Sequence, residues 1–410
     1  MTSIDLARGN YVRWGLERAS RVIGIDARLL GMVVVLIFIW LVFNLTTGGA
    51  FLSARNLFNL SLQVSVVGVM ATGMVLVIVS RNIDLSIGSI LGFVGVFGAL
   101  AQTEYLGLGH GYTWWVTSLL MLLVGTLIGV GQGAIVAYGG VPSFVVTLGG
   151  LLFFRNAAFQ INQGATVAPL DETFQLIGGG LNGTIGAFWS WVCGGVAIAL
   201  VAVSAISIRR KRQRFGFPVR PPLMEAVAIG LWAILILVFV SVMNAYLQPK
   251  TGVPMGIAIP VLILAGVTLI MTVIARKTAF GRYVYAIGGN PESAELAGIS
   301  VKRTIVEVFA LMGFLAGVAS IIVTARLNAG ASVTGTMTEL NVIAAAVIGG
   351  TSLAGGIGTI YGAVLGAVFM QSLENGMVLL GVDTPLQRMV IALVLVAAVW
   401  IDRIYQRSRG

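Results

Sequence analysis

Charged side chains are scarce in this sequence. They make up 10% of its 410 residues, whereas 58% of the residues are hydrophobic and the mean hydropathy is +0.98. Because soluble domains usually carry about 25% charged residues, this composition excludes a soluble globular protein. A helix of about 20 apolar residues crosses a bilayer core of about 30 Å. A chain of this length can therefore supply twelve such helices with short connections, and no separate enzymatic domain fits in the remainder.

Cysteine and histidine each occur once, as Cys193 and His110. A single cysteine excludes an intrachain disulfide framework and a cysteine-ligated zinc site, and a single histidine excludes a histidine metal cluster. Together with the lack of room for an enzymatic domain, these counts predict that the chain has no catalytic site, no metal site and no cofactor of its own.

A nucleotide-binding motif is also missing. A phosphate-cradling glycine loop ends in Gly-Lys followed by Ser or Thr. The four lysines of this chain are Lys211, Lys250, Lys277 and Lys302, and none of them follows a glycine. If the protein works with ATP, hydrolysis must therefore lie in another subunit.

Twelve apolar segments predict an all-α polytopic membrane protein. They cover residues 29–46, 60–80, 85–102, 114–137, 143–161, 185–207, 224–246, 257–275, 304–325, 338–350, 359–379 and 385–401. These segments predict a transmembrane domain over residues 29–402, with tails at 1–28 and 403–410. The first tail carries five arginines and no convincing small-residue cleavage site, which favours an uncleaved first helix over a signal peptide.

The basic residues predict the orientation. With twelve crossings, twenty of the 25 Lys and Arg residues fall on one side, and only Arg55, Lys250, Arg326 and Arg388 fall on the other. The positive-inside rule then places both termini in the cytoplasm. Since the positive charges lie in short loops between apolar segments, the net charge of +10 indicates topology and not nucleic-acid binding.

Glycine is abundant, with 54 residues, many of them inside predicted helices. The pairs Gly125/Gly129 and Gly362/Gly366 have the spacing that lets two membrane helices approach closely. On the predicted topology these two helices run in opposite directions, so an inverted repeat is one explanation. The other is that glycine-rich membrane helices simply resemble one another.

A polar loop over residues 276–303 is patterned like a short helix. Asn290 can cap it, Pro291 suits its first position, Glu292 favours its positive end, and Gly298 can terminate it. A helix of about two turns is unstable alone in water. It is either a docking element for a partner or an ordinary turn between membrane helices.

This loop carries a resemblance to a known family. Glu292-Ser293-Ala294, followed by Gly298, resembles the Glu-Ala-Ala coupling-helix motif of ABC importer permeases, with Ser293 in place of the second alanine. The segment FGRYVYAIGGNPESAELAGI, residues 280–299, resembles the monosaccharide branch of that family, which includes ribose and xylose permeases. On this resemblance, the coupling residues are Asn290, Pro291, Glu292, Ser293, Ala294, Gly298 and Ile299.

Further segments resemble the same branch. They are IDLSIGS at 83–89, ELNVIAAAVIGGTSLAGGIGT at 339–359 and, more weakly, VPSFVVTLGGL at 141–151. Asn341 stands where the family often has aspartate. The two extra helices at about 185–246 are similar to the longer form found in xylose permeases.

The resemblance implies a membrane subunit of an ATP-driven importer in the bacterial inner membrane, which moves a monosaccharide, xylose by preference, from periplasm to cytoplasm. The implied partners are an ABC ATPase subunit that binds ATP and Mg, a periplasmic sugar-binding protein, a second permease copy in a homodimer, and membrane lipid. No nucleic acid is implied. Ribose, galactose or another small sugar stays open as the substrate.

Two glycine-containing breaks supply polar groups suited to a sugar pathway. Interrupted helices in corresponding places point to a transport route, although both breaks could be simple turns. The predicted pathway residues are Asn82, Asp84, Ser86 and Ser89 in the first break, Thr351 and Ser352 in the second, and the deep acid Glu374. Asp84 also fits a helix N-cap, and Glu374 an interhelical hydrogen bond.

A gradient-coupled secondary transporter is the alternative of another class. Such carriers usually need ionisable groups deep in the bilayer, and Asp84 and Glu374 are the available candidates. Arg155, inside the segment 143–161, must find a partner or water at membrane depth.

Overall fold

The computed structural model describes residues 27–219 and 221–407, so nearly all of the predicted tail 1–28 lies outside the described residues. The described chain is helical. Its helices are α1 Ala27–Thr46, α2 Ala54–Val79, α3 Ile87–Leu100, α4 Thr113–Gly139, α5 Ser143–Asn162, α6 Glu172–Ile177, α7 Gly186–Arg214, α8 Pro222–Ala245, α9 Ile259–Lys277, α10 Ala279–Gly289, α11 Pro291–Leu296, α12 Val301–Leu327, α13 Thr338–Ile348, α14 Ile360–Leu379 and α15 Thr384–Arg407.

The apolar helices coincide with the predicted apolar segments, whereas α6, α10 and α11 lie between them. Among the described residues, nine helices are long and apolar enough to cross a membrane, and three shorter apolar stretches lie at Leu30–Thr46, Thr338–Ile348 and Thr384–Trp400. Each of the twelve predicted segments corresponds to one of them. The all-helical, polytopic fold class is therefore confirmed. Helix α15 continues to Arg407, beyond the start of the tail predicted at 403.

The chain divides into two compact units. The first contains α1 up to Leu45, Leu52–Phe58 and Ile185–Ile257. It therefore contains the two extra helices, α7 and α8, together with α1. Inside this unit a side chain at Gly194 of α7 would come within 2.9 Å of Val240 on α8, so the missing side chain permits this close approach. Arg209 of α7 forms an ion pair with Glu225 of α8.

The second unit contains the remaining described residues from Thr46 to Phe51, Asn59 to Thr184 and Ala258 onward. Its centre includes α3 and α12, whose most apolar windows are each 72% buried. A π turn, Ala101–Leu106, extends α3. The predicted loop 276–303 and both predicted breaks belong to this unit.

The two predicted glycine pairs make close helix crossings. Side chains at Gly125 and Gly129 of α4 would collide with the backbone carbonyls of Gly313 and Phe309 on α12. In the same way, Gly362 and Gly366 of α14 face the carbonyl oxygens of Gly349 and Ala345, at the end of α13 and within it. Small residues bring the backbones together, as expected for packing in lipid.

Candidate coupling hairpin and transport pathway

The predicted short helix is present as α11. Asn290 precedes it in an extended conformation, and its Oδ1 accepts a hydrogen bond of 3.0 Å from the Ser293 backbone N–H. Pro291 occupies the first position, where its missing N–H costs nothing. The sequence pattern predicts this local structure because capping depends on neighbouring residues alone.

The end of α11 also matches the prediction. Gly298 has φ of +84°, a left-handed conformation that favours glycine. Its N–H donates to Glu295 O at 2.9 Å, and the Ile299 N–H donates to Ala294 O at 3.0 Å. These two bonds form a Schellman motif, which satisfies the last carbonyls of the helix and turns the chain toward α12.

Helix α11 exposes an apolar side chain. Leu296 is 91% exposed, and Glu292, Ser293 and Glu295 beside it are exposed as well, whereas Ala294 is buried. Covering such a side chain with a partner surface would be favourable, because it removes apolar area from water. We call α10 and α11 with their flanks, residues 276–303, the coupling hairpin.

Arg81, just after α2, forms two hydrogen bonds with the coupling hairpin. Its Nε donates to Gly288 O at 2.8 Å, and its Nη2 donates to Gly289 O at 2.7 Å. The last carbonyls of a helix have no partners within the helix and carry partial negative charge. The guanidinium therefore satisfies the end of α10 and links it to the end of α2.

The second break also contacts the end of α2 and helix α10. The Gly356 N–H donates to Val79 O at 2.9 Å, and Tyr285 Oη of α10 donates to Gly358 O at 2.7 Å. Burial raises the pKa of Tyr285, so its hydroxyl keeps the proton that it donates. We call this meeting point, residues 79–81, 285–289 and 355–358, the inner junction.

The first break is a buried turn. Asp84 Oδ1 accepts hydrogen bonds from Ser86 N at 2.8 Å and Ser86 Oγ at 2.6 Å. Helix α3 begins at Ile87 with Ser86 as its N-cap residue, so the interpretation of Asp84 as an N-cap is wrong. An aspartate bonded to the N–H two residues on instead forms an Asx turn.

The predicted residues of the first break are enclosed by the protein. Asn82, Asp84, Ser86 and Ser89 are 8%, 2%, 0% and 1% exposed, so this conformation holds no open channel along them. Ser86 Oγ lies 3.1 Å from Gln132 Oε1 on α4. The Ser89 hydroxyl and the Gln132 Nε2 are buried without a hydrogen-bond partner among the described residues.

The second break is buried too. Thr351 and Ser352 are 0% and 3% exposed. Ser352 N donates to Ile357 O at 2.9 Å, and Ser352 Oγ accepts from Ala354 N at 3.2 Å. Because Gly356 of this loop bonds to Val79, the second break meets the end of α2 at the inner junction, next to the coupling hairpin.

Arg155 forms hydrogen bonds to other residues of the protein. Its Nη1 donates to Ser332 O and Thr334 O, each at 3.1 Å, and to Thr336 Oγ1 at 2.9 Å. The guanidinium therefore organises the segment between α12 and α13. No sequence motif marks these acceptors, since two of them are backbone carbonyls far along the chain.

Glu374 lies outside the two breaks. Its Oε2 accepts hydrogen bonds from Asn341 Nδ2 of α13 at 3.1 Å and from Gln371 Nε2 of its own helix, α14, at 2.9 Å. The interhelical hydrogen bond is therefore present. Asn341 was not predicted as the partner of Glu374, although its polar side chain within an apolar helix was a signal for such a bond.

Comparisons with known proteins show the family to which the chain belongs. The profile of the family described as branched-chain amino acid transport system / permease component matches residues 56–399. A xylose transport system permease protein, XylH, of Haemophilus influenzae is 40% identical over 376 residues, covering 90% of this chain and 95% of that protein. XylH of Escherichia coli K12 is 40% identical and covers 92% of each chain.

A ribose import permease protein, RbsC, of Escherichia coli K12 is 33% identical over 354 residues, covering 86% of this chain and 87% of that protein. No solved structure gives a significant match. The family profile spans most of the chain, and the relatives align over nearly their full lengths. The chain therefore belongs to this family of transport permeases: it is a multi-pass membrane permease component and not an enzyme.

Proposed function

We propose that this chain is the permease subunit of an ATP-driven ABC importer that moves xylose from the periplasm to the cytoplasm. The observation that supports xylose as the substrate is the 40% identity to two xylose transport permeases over at least 90% of both chains. The identity to a ribose permease is 33%. The monosaccharide segments of the sequence support the same class. Ribose is the second substrate to be tested.

The proposed subunit crosses the bacterial inner membrane twelve times, with both termini in the cytoplasm. This orientation puts the coupling hairpin and the basic end of α7 on the cytoplasmic side. It works as a homodimer with an ABC ATPase subunit that binds ATP and Mg, and with a periplasmic sugar-binding protein. The opposed glycine crossings on α4 and α14 are consistent with an inverted repeat.

The geometry supports a route for mechanical coupling. In the proposed mechanism, the ATPase covers Leu296 and moves the coupling hairpin when it closes on ATP. Arg81 and Tyr285 join α10 to the end of α2 and to the second break, so that movement of the hairpin displaces both breaks at once. The pathway would then alternate between inward-open and outward-open states, with Asn82, Asp84, Ser86, Ser89, Thr351 and Ser352 changing exposure.

Reconstitution tests the proposed function. The permease in liposomes should accumulate xylose only with its ATPase, its binding protein and ATP, and should be inert alone. Dissipating ion gradients with an ionophore should leave the uptake unchanged. Uphill uptake by the permease alone, or its collapse with the ionophore, would show a gradient-coupled carrier instead. Faster uptake of ribose than of xylose would reassign the sugar.

Replacing Tyr285 with phenylalanine should weaken coupling. The variant loses the hydrogen bond to Gly358 O, which contributes about 1 kcal/mol, while the ring still fills its site. We expect roughly fivefold less xylose uptake per ATP hydrolysed, with normal membrane insertion. Tyr283→Phe is the matched control, because Tyr283 lies in the same helix and is 42% exposed. Equal transport-to-hydrolysis ratios in the two variants would contradict the role of Tyr285.

A further inference from the structure

A cavity lies between the end of α12 and the segment that connects α5 to α7. Its volume is about 630 Å³, and its lining includes Glu172, Leu176, Leu181, Arg326 and Asn328. A water molecule occupies about 30 Å³ of liquid, so the cavity has the volume of about twenty waters. It is therefore much larger than a single bound ion requires.

Two contacts join the connecting segment to the end of α12. A side chain at Gly178 would collide with the Arg326 backbone nitrogen, so its absence lets the loop after α6 approach the helix closely. Asn328 Oδ1 accepts a hydrogen bond of 2.8 Å from the Leu170 N–H. These contacts hold the two walls of the cavity in place relative to each other.

The cavity is lined by one basic and one acidic side chain that do not pair. Arg326 is half-buried and Glu172 is exposed, and neither side chain forms a hydrogen bond or an ion pair in the described part of the chain. The side-chain nitrogens of Arg326 are not enclosed by the protein, so a ligand in the cavity can reach them. A guanidinium that has lost part of its water gains from a bound anion.

The cavity lies where the membrane meets water. Arg326 is the last residue but one of α12, a helix long and apolar enough to cross a membrane. Leu176 and Leu181 in the lining are 37% and 44% exposed. A small anion from water would leave these leucines uncovered. A lipid can bind the guanidinium through its headgroup and cover the leucines with its apolar part.

We propose that the cavity binds the headgroup of phosphatidylethanolamine, with the phosphate on Arg326 and the ammonium toward Glu172. A phosphate accepts charge-assisted hydrogen bonds from a guanidinium, and an ammonium donates them to a carboxylate. An anionic lipid, or an acidic side chain of a partner protein, would satisfy Arg326 but leave Glu172 unpaired. On the predicted orientation the site faces the outer side, opposite the coupling hairpin, and it does not depend on which sugar is carried.

Lipid binding to the full chain tests the proposal. The purified permease in detergent would be titrated with phosphatidylethanolamine, and bound lipid would be measured by native mass spectrometry. Phosphatidylglycerol, which has no cation, and phosphatidylcholine, whose ammonium has no N–H to donate, would be compared with the same acyl chains. We expect phosphatidylethanolamine to bind at least about fivefold more tightly than either. Arg326→Gln should weaken its binding about tenfold.

Glu172→Gln should remove the preference for phosphatidylethanolamine over phosphatidylglycerol, because the partner of the ammonium is lost. Arg388→Gln is the matched control, since Arg388 is exposed, belongs to the predicted outer side and does not line this cavity. The thermal unfolding temperature of each variant would show that it is folded.

Three results would overturn the site. They are equal binding of phosphatidylethanolamine by the native chain and Arg326→Gln, no preference of the native chain among the three lipids, and an unchanged preference in Glu172→Gln. If Arg326→Gln kept the lipid but lost affinity for the sugar-binding protein, the cavity would be a protein docking site instead.

Discussion

Gly288→Ala should nearly abolish ATP-driven uptake. A side chain at Gly288 would collide with Val79 O and with the Gly356 N–H, the two groups that bond to each other in the inner junction. Backbone atoms cannot rotate away, so α10 would have to separate from α2 or from the second break. Such overpacking typically costs about 1–3 kcal/mol. Contact with backbone atoms favours the upper part of that range, and a cost of about 2–3 kcal/mol would lower transport by roughly 30- to 160-fold.

Gly289→Ala is the matched control for this prediction. A side chain there meets no atom within 4 Å, although the residue is adjacent in sequence and lies in the same helix. Uptake of xylose into liposomes and the thermal unfolding temperature would be measured for both variants. Comparable transport by the two alanine variants would mean that the inner junction does not limit coupling.

Leu296→Asp should weaken the binding of the ABC ATPase to the permease. Leu296 is 91% exposed in the isolated chain, and a charged side chain there would have to be buried unpaired in the interface. Burying a charge without a partner in an interface costs at least about 2 kcal/mol, which corresponds to roughly 30-fold weaker binding. Uptake should be lost while membrane insertion stays normal, because the residue does not contact the bilayer on the predicted topology.

Leu296→Met is the control variant, since it keeps an apolar side chain of similar volume. Affinity for the ATPase would be measured by titrating the labelled ATPase onto the permease in nanodiscs. If Leu296→Asp bound the ATPase as tightly as the native chain, the coupling hairpin would not be the docking element.

The sequence allowed the helices and the local turns to be predicted. Apolar runs identify membrane helices because lipid requires every backbone group to bond within its segment. The cap at Asn290 and the turn at Gly298 depend on nearby residues, and they occur as expected. The glycine pairs predicted close crossings, but their partners on α12 and α13 became known only from the structure.

Contacts between distant segments could not be predicted. Arg81 bonds to carbonyls more than 200 positions away, and backbone carbonyls have no signature in a sequence. Two of the partners of Arg155 could not be predicted from the sequence for the same reason, because they are backbone carbonyls. For Asp84 the sequence allowed a pathway role or a helix N-cap, and the start of α3 at Ile87 excludes the N-cap.

The bonds of Arg81 have a consequence for timing. Both hydrogen bonds are short and belong to a side chain only two residues past the last residue of α2, so the linkage between α10 and α2 contains almost no slack. In the proposed mechanism, a movement of the coupling hairpin that failed to shift the end of α2 would have to break both hydrogen bonds. We therefore expect the end of α2 to move together with the coupling hairpin.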